Sequence, residues 1–275
     1  MSMQSMSPLD LPGSDLDIAK MPGHWLLARL GKRVLRPGGL GMTRALLDDL
    51  LITSDDDVVE LAPRLGTTGR RILEINPSRS VGVERDTKAA AWSERQLPRA
   101  RNISVVTGTA DDTGLPDACA SVVIGDAMLT MNMAEHKQRI VREAYRLLCP
   151  DGHYGIHELC IIPEAIDPAD HQRIDRDLSS AIHVGARPLR APEWKSLLEQ
   201  SGFQVTKVGH APMHLLRPKR LIEDEGLIGA LRIAKNILVS PKARRRVLAM
   251  RAVFERYQQN LNAIYVVAEK RQEAG

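Results

Sequence analysis

The sequence predicts one α/β domain built on a mainly parallel sheet, and two observations carry that prediction. Short runs of β-branched and apolar residues alternate with segments of helical spacing between residues 57 and 162. Strands that alternate with helices in this way form βαβ units, in which helices cover both faces of a parallel sheet. The composition also suits a globular protein with a buried core, since 43% of the 275 residues are hydrophobic and 26% are charged.

The alternation places the elements in order along the chain. Five strands are expected in the first part, at residues 57–62, 80–84, 103–108, 121–127 and 153–162. Helices are expected between them, at residues 68–76, 87–97 and 135–148. The pattern loosens after residue 162. We expect helices there at residues 170–182 and 191–202, followed by a sixth strand at residues 203–211. Two helices, at residues 220–239 and 241–259, precede the last strand, which is expected at residues 261–270.

Two helical regions lie outside this alternation, an N-terminal lid and a cap inserted before the last strand. The lid is expected at residues 21–54, after a disordered lead-in at residues 1–20. The lid contains two short amphipathic helices, residues 24–35 and 39–52, which are separated at Pro37-Gly38-Gly39. The main domain is then residues 55–275, with a helical cap inserted at about residues 213–259.

The chain shows no pattern of a membrane span, a secretory signal or a metal site. It has no run of eighteen apolar residues, and its N-terminus lacks a basic region followed by an apolar block. Cys119, Cys149 and Cys160 are too widely spaced for a disulfide framework or a zinc pattern. We therefore expect a cytoplasmic protein without a metal centre.

Ligands of open parallel sheets bind at the carboxyl ends of the strands, near the point where strand order reverses. The residues at these ends are therefore the candidates for a site. Glu60 ends the first predicted strand, Glu84 the second, and Thr109 and Ala110 follow the third. The fourth and fifth strands end near the pairs Asp126-Ala127 and His157-Glu158.

Two stretches, GTADDTGLPDACASVVIGDAML and EHKQRIVREAYRLLCPDGHYGIHEL, carry a family resemblance. They resemble the class I S-adenosylmethionine-dependent methyltransferases, in particular the small-molecule branch similar to the ubiquinone and menaquinone C-methyltransferases. The family has a strand ending in Gly-Asp-Ala, then Leu-Pro, a fourth strand, and a helix ending in Arg-Val-Leu-x-Pro-Gly-Gly. The resemblance implies a Rossmann-like, mostly parallel seven-stranded sheet whose last strand is antiparallel.

The loop after the first strand departs from this family. The family pattern is acidic-x-Gly-x-Gly-x-Gly, and the aligned residues here are Glu60, Ala62, Arg64 and Gly66. Arg64 is the larger departure, because glycine there often takes a backbone conformation that is unfavourable for other residues. Either the backbone differs locally or the loop adapts on binding. The missing glycines disfavour a dinucleotide, whose pyrophosphate needs close approach to a helix N-terminus.

The resemblance also implies roles for the strand-end residues around S-adenosylmethionine. Glu60, Ala62 and Gly66 would line its methionine and ribose side, and Glu84 would bind the ribose hydroxyls. Thr109 and Ala110 would bracket the adenine. Thr109 replaces the usual aspartate, so recognition of the adenine amino group would pass to Asp111 or to a backbone group. Asp126 and Ala127 would face the methionine part.

Catalysis of methyl transfer rests mainly on proximity and orientation, and a general base is needed only for a nucleophile that carries a proton. The candidates for contact with the acceptor are His157, Glu158 and His24. Side chains alternate along a strand, so one of His157 and Glu158 is expected to face the cleft. His24 lies in the helix that would cover the site. Each histidine also fits a structural role.

The helical cap carries many basic residues and an apolar stripe that includes Leu227, Leu231 and Leu238. An ordinary solvated helical pair explains it, and so does a cap over an anionic or amphiphilic acceptor or a contact with a membrane surface. Nucleic acid is disfavoured, because two Phe, four Tyr and three Trp leave few platforms for stacked bases. The two helical regions could also pair subunits in a homodimer.

The function that these patterns favour is S-adenosylmethionine-dependent methyl transfer to a small apolar or amphiphilic molecule. The first alternative is an NAD-dependent oxidoreductase, which the missing glycines and the absence of a Tyr-x-x-x-Lys pair disfavour. The second is a non-catalytic protein of the same fold, in which Arg64 blocks the cofactor site. A third is an adaptor at a membrane surface. The sequence does not identify the acceptor or the atom that receives the methyl group.

Overall fold

A central sheet of eight strands runs through the protein, whose computed structural model describes residue 13, residues 15–98 and residues 100–271. The strands are β1 (Asp57–Leu61), β2 (Arg79–Glu84), β3 (Ile103–Thr107), β4 (Ala120–Asp126), β5 (Leu148–Ile161), β6 (Leu189–Arg190), β7 (Phe203–Pro212) and β8 (Leu261–Lys270). Seven of them match the predicted strands, and β6 is an unpredicted strand of two residues beside β5.

The seven long strands are arranged in the order β3-β2-β1-β4-β5-β8-β7. Pairings from β3 across to β5 are parallel, whereas β8 is antiparallel to both β5 and β7. The mostly parallel sheet with an antiparallel last strand is therefore confirmed. Strand order reverses between β1 and β4, so the carboxyl ends of these two strands border the expected ligand crevice.

Helices cover both faces of the sheet and extend beyond its edge. They are α1 (Gly23–Arg29), α2 (Gly39–Asp49), α3 (Thr67–Ile75), α4 (Thr87–Gln96), α5 (Ala134–Leu147), α6 (Pro168–Ile182), α7 (Ala191–Glu199), α8 (Pro218–Val239) and α9 (Pro241–Arg256). A short 3-10 helix, Leu129–Met131, follows β4. α8 is kinked at Gly226, whose φ of 72° is non-helical.

The first predicted helix is shorter than its apolar spacing indicates. Residues 24–35 were expected to be helical, but α1 ends at Arg29. Gly31 then adopts a φ of 107°, which is outside the helical region. The chain beyond it is held from α8, because the Glu225 carboxylate accepts hydrogen bonds from the N–H groups of Arg33 and Val34, at 2.8 and 2.9 Å. A distant acidic side chain thus replaces the next helical turn.

α2 packs directly against the sheet at Gly155 of β5. A Cβ at Gly155 would lie 2.8 Å from Leu50 Cδ1 and 2.9 Å from Leu46 Cδ1, so a larger residue here would require both leucine side chains to shift. Leu46 and Leu50 are themselves buried among β1, β4 and β8 side chains. The N-terminal region is therefore part of the core in this conformation.

A buried ion cluster joins this N-terminal region to α8. Lys32 Nζ lies 3.5 Å from Asp224 Oδ2 and 3.7 Å from Glu225 Oε1, and all three side chains are almost inaccessible. Asp224 Oδ1 also accepts a hydrogen bond from the Leu40 N–H. Burial lowers the pKa of Lys32, while the two carboxylates oppose that shift. Asp224 and Glu225 of the helical cap thus anchor the segment that precedes the sheet.

Part of the predicted disordered lead-in, residues 1–12 and residue 14, lies outside the described residues. Residues 15–20 form turns, in which the N–H groups of Lys20 and Met21 donate to the Asp17 carbonyl. In the described part of the chain, no helix is both long enough and apolar enough to cross a bilayer.

Candidate functional site

The loop between β1 and α3 keeps a left-handed backbone at each of the three positions where the family has glycine. The φ angles are 55° at Ala62, 51° at Arg64 and 67° at Gly66. For residues other than glycine this conformation costs roughly 1–2 kcal/mol each. The first of the two expectations for this loop, a different local backbone, is therefore wrong, because Ala62 and Arg64 are held in the glycine-like conformation. The surrounding structure must compensate for that strain.

Glu84 connects this loop to the end of β2. Its Oε2 accepts a hydrogen bond from the Arg64 N–H at 3.1 Å, and its Oε1 accepts one from the Asp86 N–H at 3.2 Å. A carboxylate offers about four acceptor positions. Glu84 therefore keeps capacity for two more donors on the side that faces the cavity described next.

A cavity of about 300 Å³ lies over the carboxyl ends of β1, β2 and β3, and we refer to it as the strand-end cavity. Its walls come from the strand ends, from the start of α5 and from α1. The lining residues are His24, Trp25, Ala62, Arg64, Val83, Glu84, Arg85, Asp86, Gly108, Thr109, Ala110, Asp111, Met128, Met131, Asn132, His136, Ile140 and Val184. Four of the predicted cofactor-binding residues, Ala62, Glu84, Thr109 and Ala110, are therefore brought together here.

The β3 end of this cavity is polar and already partly paired. Thr109 Oγ1 donates to the Asp112 carbonyl at 3.2 Å. Asp111 contacts His136 Nε2 at 3.3 Å and accepts a hydrogen bond from Arg139 Nε at 3.1 Å. Burial raises the pKa of Asp111, but the hydrogen bonds from Arg139, Thr109 and His136 outweigh it and lower the pKa to about 2. Asp111 is thus an ionised acceptor on the cavity wall.

Glu60 and Gly66 lie beneath the loop and outside the cavity lining. The Glu60 carboxyl accepts a hydrogen bond from the Gly69 N–H in α3, and a Cβ at Gly69 would lie 2.9 Å from Glu60 Oε2. Burial raises the pKa of Glu60 to about 8, although the Arg36 guanidinium opposes this. Gly66 begins α3 with its Cα facing Ser93 of α4. Both residues shape the loop from below.

Asp126 is the centre of a buried polar cluster under α2. It forms an ion pair with Arg36 Nε, and its Oδ2 accepts from Thr68 Oγ1 at 2.7 Å and from Thr43 Oγ1 at 3.2 Å. Burial raises the pKa of Asp126, but Arg36 and His157 outweigh it, so the carboxyl stays ionised well below its usual range. Asp126 lines neither this cavity nor the pocket described below.

His157 belongs to the same cluster. Its Nε2 accepts a hydrogen bond from the Gly38 N–H at 3.1 Å, and its Nδ1 lies 3.1 Å from Asp126 Oδ1. The ring therefore carries its proton on Nδ1, facing the carboxylate. His157 is fully buried and lies outside both linings. Its contacts connect the N-terminal region to β4 and β5.

A second concavity, the apolar pocket, lies next to the strand-end cavity and has a volume of about 120 Å³. Hydrophobic side chains from α1, α6, α9 and the segment after β7 form most of its wall. The lining residues are Gly23, His24, Leu27, Leu35, Pro37, Arg64, Ala127, Thr130, Met131, Glu158, Leu159, Leu178, Ile182, Ala186, Met213, Leu215, Met250 and Phe254. The predicted residues Ala127, Glu158 and His24 meet here.

Glu158 faces this pocket but is saturated with hydrogen bonds. Its carboxylate accepts from the N–H groups of Met128, Leu129 and Thr130, at 2.8, 2.6 and 3.0 Å, and from Thr130 Oγ1 at 2.6 Å. Burial raises the pKa of Glu158, and these four donors oppose the shift. The side chain thus fixes the 3-10 helix after β4, and little of its acceptor capacity remains for a ligand.

His24 stands at the boundary, because it lines both the strand-end cavity and the apolar pocket. Its ring packs against Trp25 with centroids 4.7 Å apart. Burial, with a smaller contribution from the Arg64 guanidinium, lowers the pKa of His24 to about 3. The imidazole is therefore neutral at physiological pH, and it can accept a hydrogen bond while being a weak base.

Arg64 and Met131 are the other residues that line both concavities. Arg64 Nη2 lies 3.8 Å from Met131 Sδ. Neither residue was predicted to bind a ligand, although the arginine in place of a glycine was visible in the sequence. Met131 and the pocket walls from α6 and α9 carry no local signal, because they join the site only through tertiary packing.

Comparisons with known proteins agree with this architecture. A family model described as "Methyltransferase domain" matches residues 64–156, which span the loop after β1 through β5. An uncharacterized protein of Haemophilus influenzae is 32% identical over 251 residues, which cover 90% of this chain and 98% of that protein.

Two solved structures show the same fold at low identity. Phosphoethanolamine N-methyltransferase 2 of Haemonchus contortus, in complex with S-adenosyl-L-methionine, has a TM-score of 0.68 at 16% identity, over 96% of this chain and 59% of that chain. The cyclase SpnF has a TM-score of 0.63 at 16% identity, over 85% of this chain and 81% of that chain. The fold is thus shared by proteins with different reactions.

The predicted cofactor is confirmed at the level of the family, whose members use S-adenosylmethionine. The resemblance to the ubiquinone and menaquinone branch stays a prediction. Sheet order, strand-end cavity and sequence match together lead to one assignment: this chain carries a methyltransferase domain of the class I S-adenosylmethionine-dependent type, and it belongs to one family with the uncharacterized Haemophilus influenzae protein.

Proposed function

We propose that the chain transfers a methyl group from S-adenosylmethionine, bound in the strand-end cavity, to a small molecule in the apolar pocket. The observation that carries the proposal is the shared wall, because His24, Arg64 and Met131 border both concavities. A methyl donor and an acceptor in adjoining chambers meet the need for proximity and orientation.

The residues of the strand-end cavity fit the adenosine part of the cofactor. Glu84 has unused acceptor positions for two ribose hydroxyls. Val83, Met128 and Ile140 supply apolar contacts for a base, beside the polar Thr109 and Asp111. When bound, S-adenosylmethionine supplies a methyl group activated by a sulfonium sulfur. Arg64 is the residue that fits this cation least well.

The chain contributes positioning and exclusion of water more than proton transfer. The apolar wall of the pocket keeps water away from the acceptor. His24 can accept a hydrogen bond from a nucleophile at the boundary, but its pKa of about 3 makes it a weak base. His157 is held inside the polar cluster with Asp126, where it positions Gly38.

Calorimetric titration with S-adenosylhomocysteine tests this function, and NAD is the control ligand. Saturable binding of S-adenosylhomocysteine alone supports the proposal. Binding of NAD alone would favour the oxidoreductase alternative. Binding of neither would favour the non-catalytic alternative, and Arg64→Gly would then be expected to create affinity for S-adenosylhomocysteine.

We also infer that α8 and α9 contact an anionic membrane surface. Leu227, Ile228 and Leu231 are 62%, 83% and 62% exposed, and Leu238 and Val239 lie open further along α8. Exposed basic side chains accompany them, namely Arg232, Lys235, Lys242, Arg244 and Arg245. Apolar side chains beside cations are typical of helices that lie in a membrane interface.

Vesicle sedimentation tests the membrane contact. The wild type should sediment with phosphatidylglycerol vesicles and much less with phosphatidylcholine vesicles. Ile228→Asp combined with Leu231→Asp should lose this binding and keep the S-adenosylhomocysteine affinity. Equal recovery with both lipids, or no recovery, would contradict the inference. A small-molecule acceptor without nucleic acid, a homodimer and a cytoplasmic location stay predictions.

A further inference from the structure

The guanidinium of Arg64 lies at the junction of the two concavities without an ion-pair partner. Within residues 15–98 and 100–271, no carboxylate lies within 4.0 Å of it. Arg64 Nη2 instead lies 3.8 Å from the Met131 sulfur, which is a weak acceptor. The backbone N–H of Arg64 is occupied by Glu84, so the side chain is fixed at its base and open at its tip.

The neighbouring carboxylates do not remove the need for a partner. Burial lowers the pKa of Arg64, whereas the charges of Glu84 and Glu158 act in the opposite direction. A guanidinium nevertheless keeps its charge in proteins. Glu158 is saturated by four donors, and Glu84 accepts from two backbone N–H groups. A half-buried cation with such neighbours gains most from an anion delivered by a ligand.

The charge and the apolar lining of the pocket favour a carboxylate as the anion. Arg64 is the one cationic side chain among the described residues that line the apolar pocket, since the others are apolar apart from Thr130, Glu158 and the neutral His24. A planar guanidinium matches a carboxylate or a phosphate in a two-point contact. The single cation balances the one charge of a carboxylate, whereas a phosphate monoester carries a charge of about −1.5 to −2 at pH 7. Leu178, Met213 and Phe254 surround the remaining volume with hydrocarbon.

We propose that Arg64 binds the carboxylate of an acceptor whose apolar part occupies the apolar pocket. The proposal rests on the proposed function and narrows its substrate class to anionic amphiphiles. It also gives a role to an arginine whose backbone is held in the left-handed conformation. A sulfonium in the adjoining cavity would add a second positive charge, so an acceptor anion reduces the electrostatic cost of binding both ligands.

The absence of a strong base agrees with this substrate class. His24 has a pKa of about 3 and Glu158 is saturated, so in the part of the chain that the structure describes the pocket wall offers no side chain suited to remove a proton. A carboxylate suits such a pocket, since its oxygen is a nucleophile that carries no proton at neutral pH.

The test compares octanoate with octanamide, which has nearly the same shape and no charge. Both are titrated calorimetrically into the full chain, with and without saturating S-adenosylhomocysteine. Wild type should bind octanoate about tenfold or more tightly than octanamide, because a hydrogen bond to a charged group contributes about 1.5–3 kcal/mol. Arg64→Gln should abolish this preference, and Arg64→Lys should keep part of it.

Arg44→Gln, at an exposed position of α2, is the matched control and should keep the preference. Thermal unfolding of each variant establishes that it is folded. Equal affinity for octanoate and octanamide in wild type, no octanoate binding up to its solubility limit, or a preference that survives Arg64→Gln would overturn the proposal. Failure of the proposed function gives a different result: wild type would not bind S-adenosylhomocysteine but would still prefer octanoate to octanamide.

Discussion

The strand-end cavity and the apolar pocket share a wall but are built in different ways. The strand-end cavity takes most of its lining from residues 62–140, where each polar residue follows the strand that positions it. The apolar pocket combines α1, the end of β5, α6 and α9, which are distant along the chain. One chamber is thus a local consequence of βαβ order, and the other depends on long-range packing. The two should therefore fail for different reasons.

Lys32→Met should have the largest effect, because it leaves two buried carboxylates without their cation. We expect a loss of about 3–5 kcal/mol in the free energy of unfolding. Octanoate binding should weaken more than S-adenosylhomocysteine binding, since Lys32 anchors to α8 the segment that contributes Leu35 and Pro37 to the apolar pocket. Urea denaturation and calorimetry measure both quantities.

Lys235→Met, at an exposed position of α8, is the control for Lys32→Met and should change stability little. A loss below about 1 kcal/mol for Lys32→Met would mean that this cluster does not hold the pocket wall together.

Glu84→Ala should damage mainly the strand-end cavity. We expect S-adenosylhomocysteine affinity to fall about 100-fold or more, since two hydrogen bonds to a carboxylate together contribute roughly 3 kcal/mol or more. Octanoate affinity should fall less, because Glu84 contacts the backbone N–H of Arg64 and not its guanidinium. The control is Glu94→Ala on the exposed side of α4. Unchanged S-adenosylhomocysteine affinity would remove Glu84 from the proposed ribose site.

Leu215→Trp should damage the apolar pocket alone. A larger ring at this half-buried position fills part of the 120 Å³ volume, so octanoate affinity should fall about tenfold. S-adenosylhomocysteine affinity should stay the same. Leu248→Trp, at an exposed site on α9, is the control. Equal loss of both ligands would show that the chambers are not separable.

Glu60→Gln should change how stability depends on pH. The folded pKa of Glu60 is about 8 against an ordinary value of 4.5, so the folded protein binds more protons between these pH values. The free energy of unfolding therefore falls as pH rises from 4.5 towards 8. Glutamine does not titrate, so the variant should gain stability over wild type across this interval. Parallel denaturation profiles of the two proteins would refute the raised pKa.

Ala62→Gly should have the smallest effect, a gain of up to about 1 kcal/mol in stability, because it relieves the left-handed alanine. The greater entropy of an unfolded glycine reduces that gain. Ala169→Gly in α6 is the matched control, and it should lose about 0.5–1 kcal/mol because its backbone is helical. Similar losses for both variants would contradict the strained loop.

Most of the sheet followed from sequence because hydrophobic periodicity is a local property. The seven predicted strands are present, and α3, α4 and α5 begin and end within two residues of their expected bounds. The predicted end of α1 was wrong because the Glu225 carboxylate accepts hydrogen bonds from the N–H groups of Arg33 and Val34. No local sequence pattern predicts a contact between residues so far apart in the chain. The two-residue β6 was missed because such a short strand has no periodicity.

The sequence by itself determined the parallel sheet and the polar strand ends, since spacing and residue type specify them locally, and its family resemblance implied the antiparallel last strand. Only the tertiary structure decided which of those residues face a ligand. In the folded protein His157 and Asp126 belong to a buried cluster, and the hydrogen-bonding capacity of Glu158 is filled by backbone and hydroxyl donors. Arg64 lies between the strand-end cavity and the apolar pocket. The physical reason is that burial and pairing are set by segments that meet only after folding, so a side chain's chemistry there depends on neighbours far away in the chain.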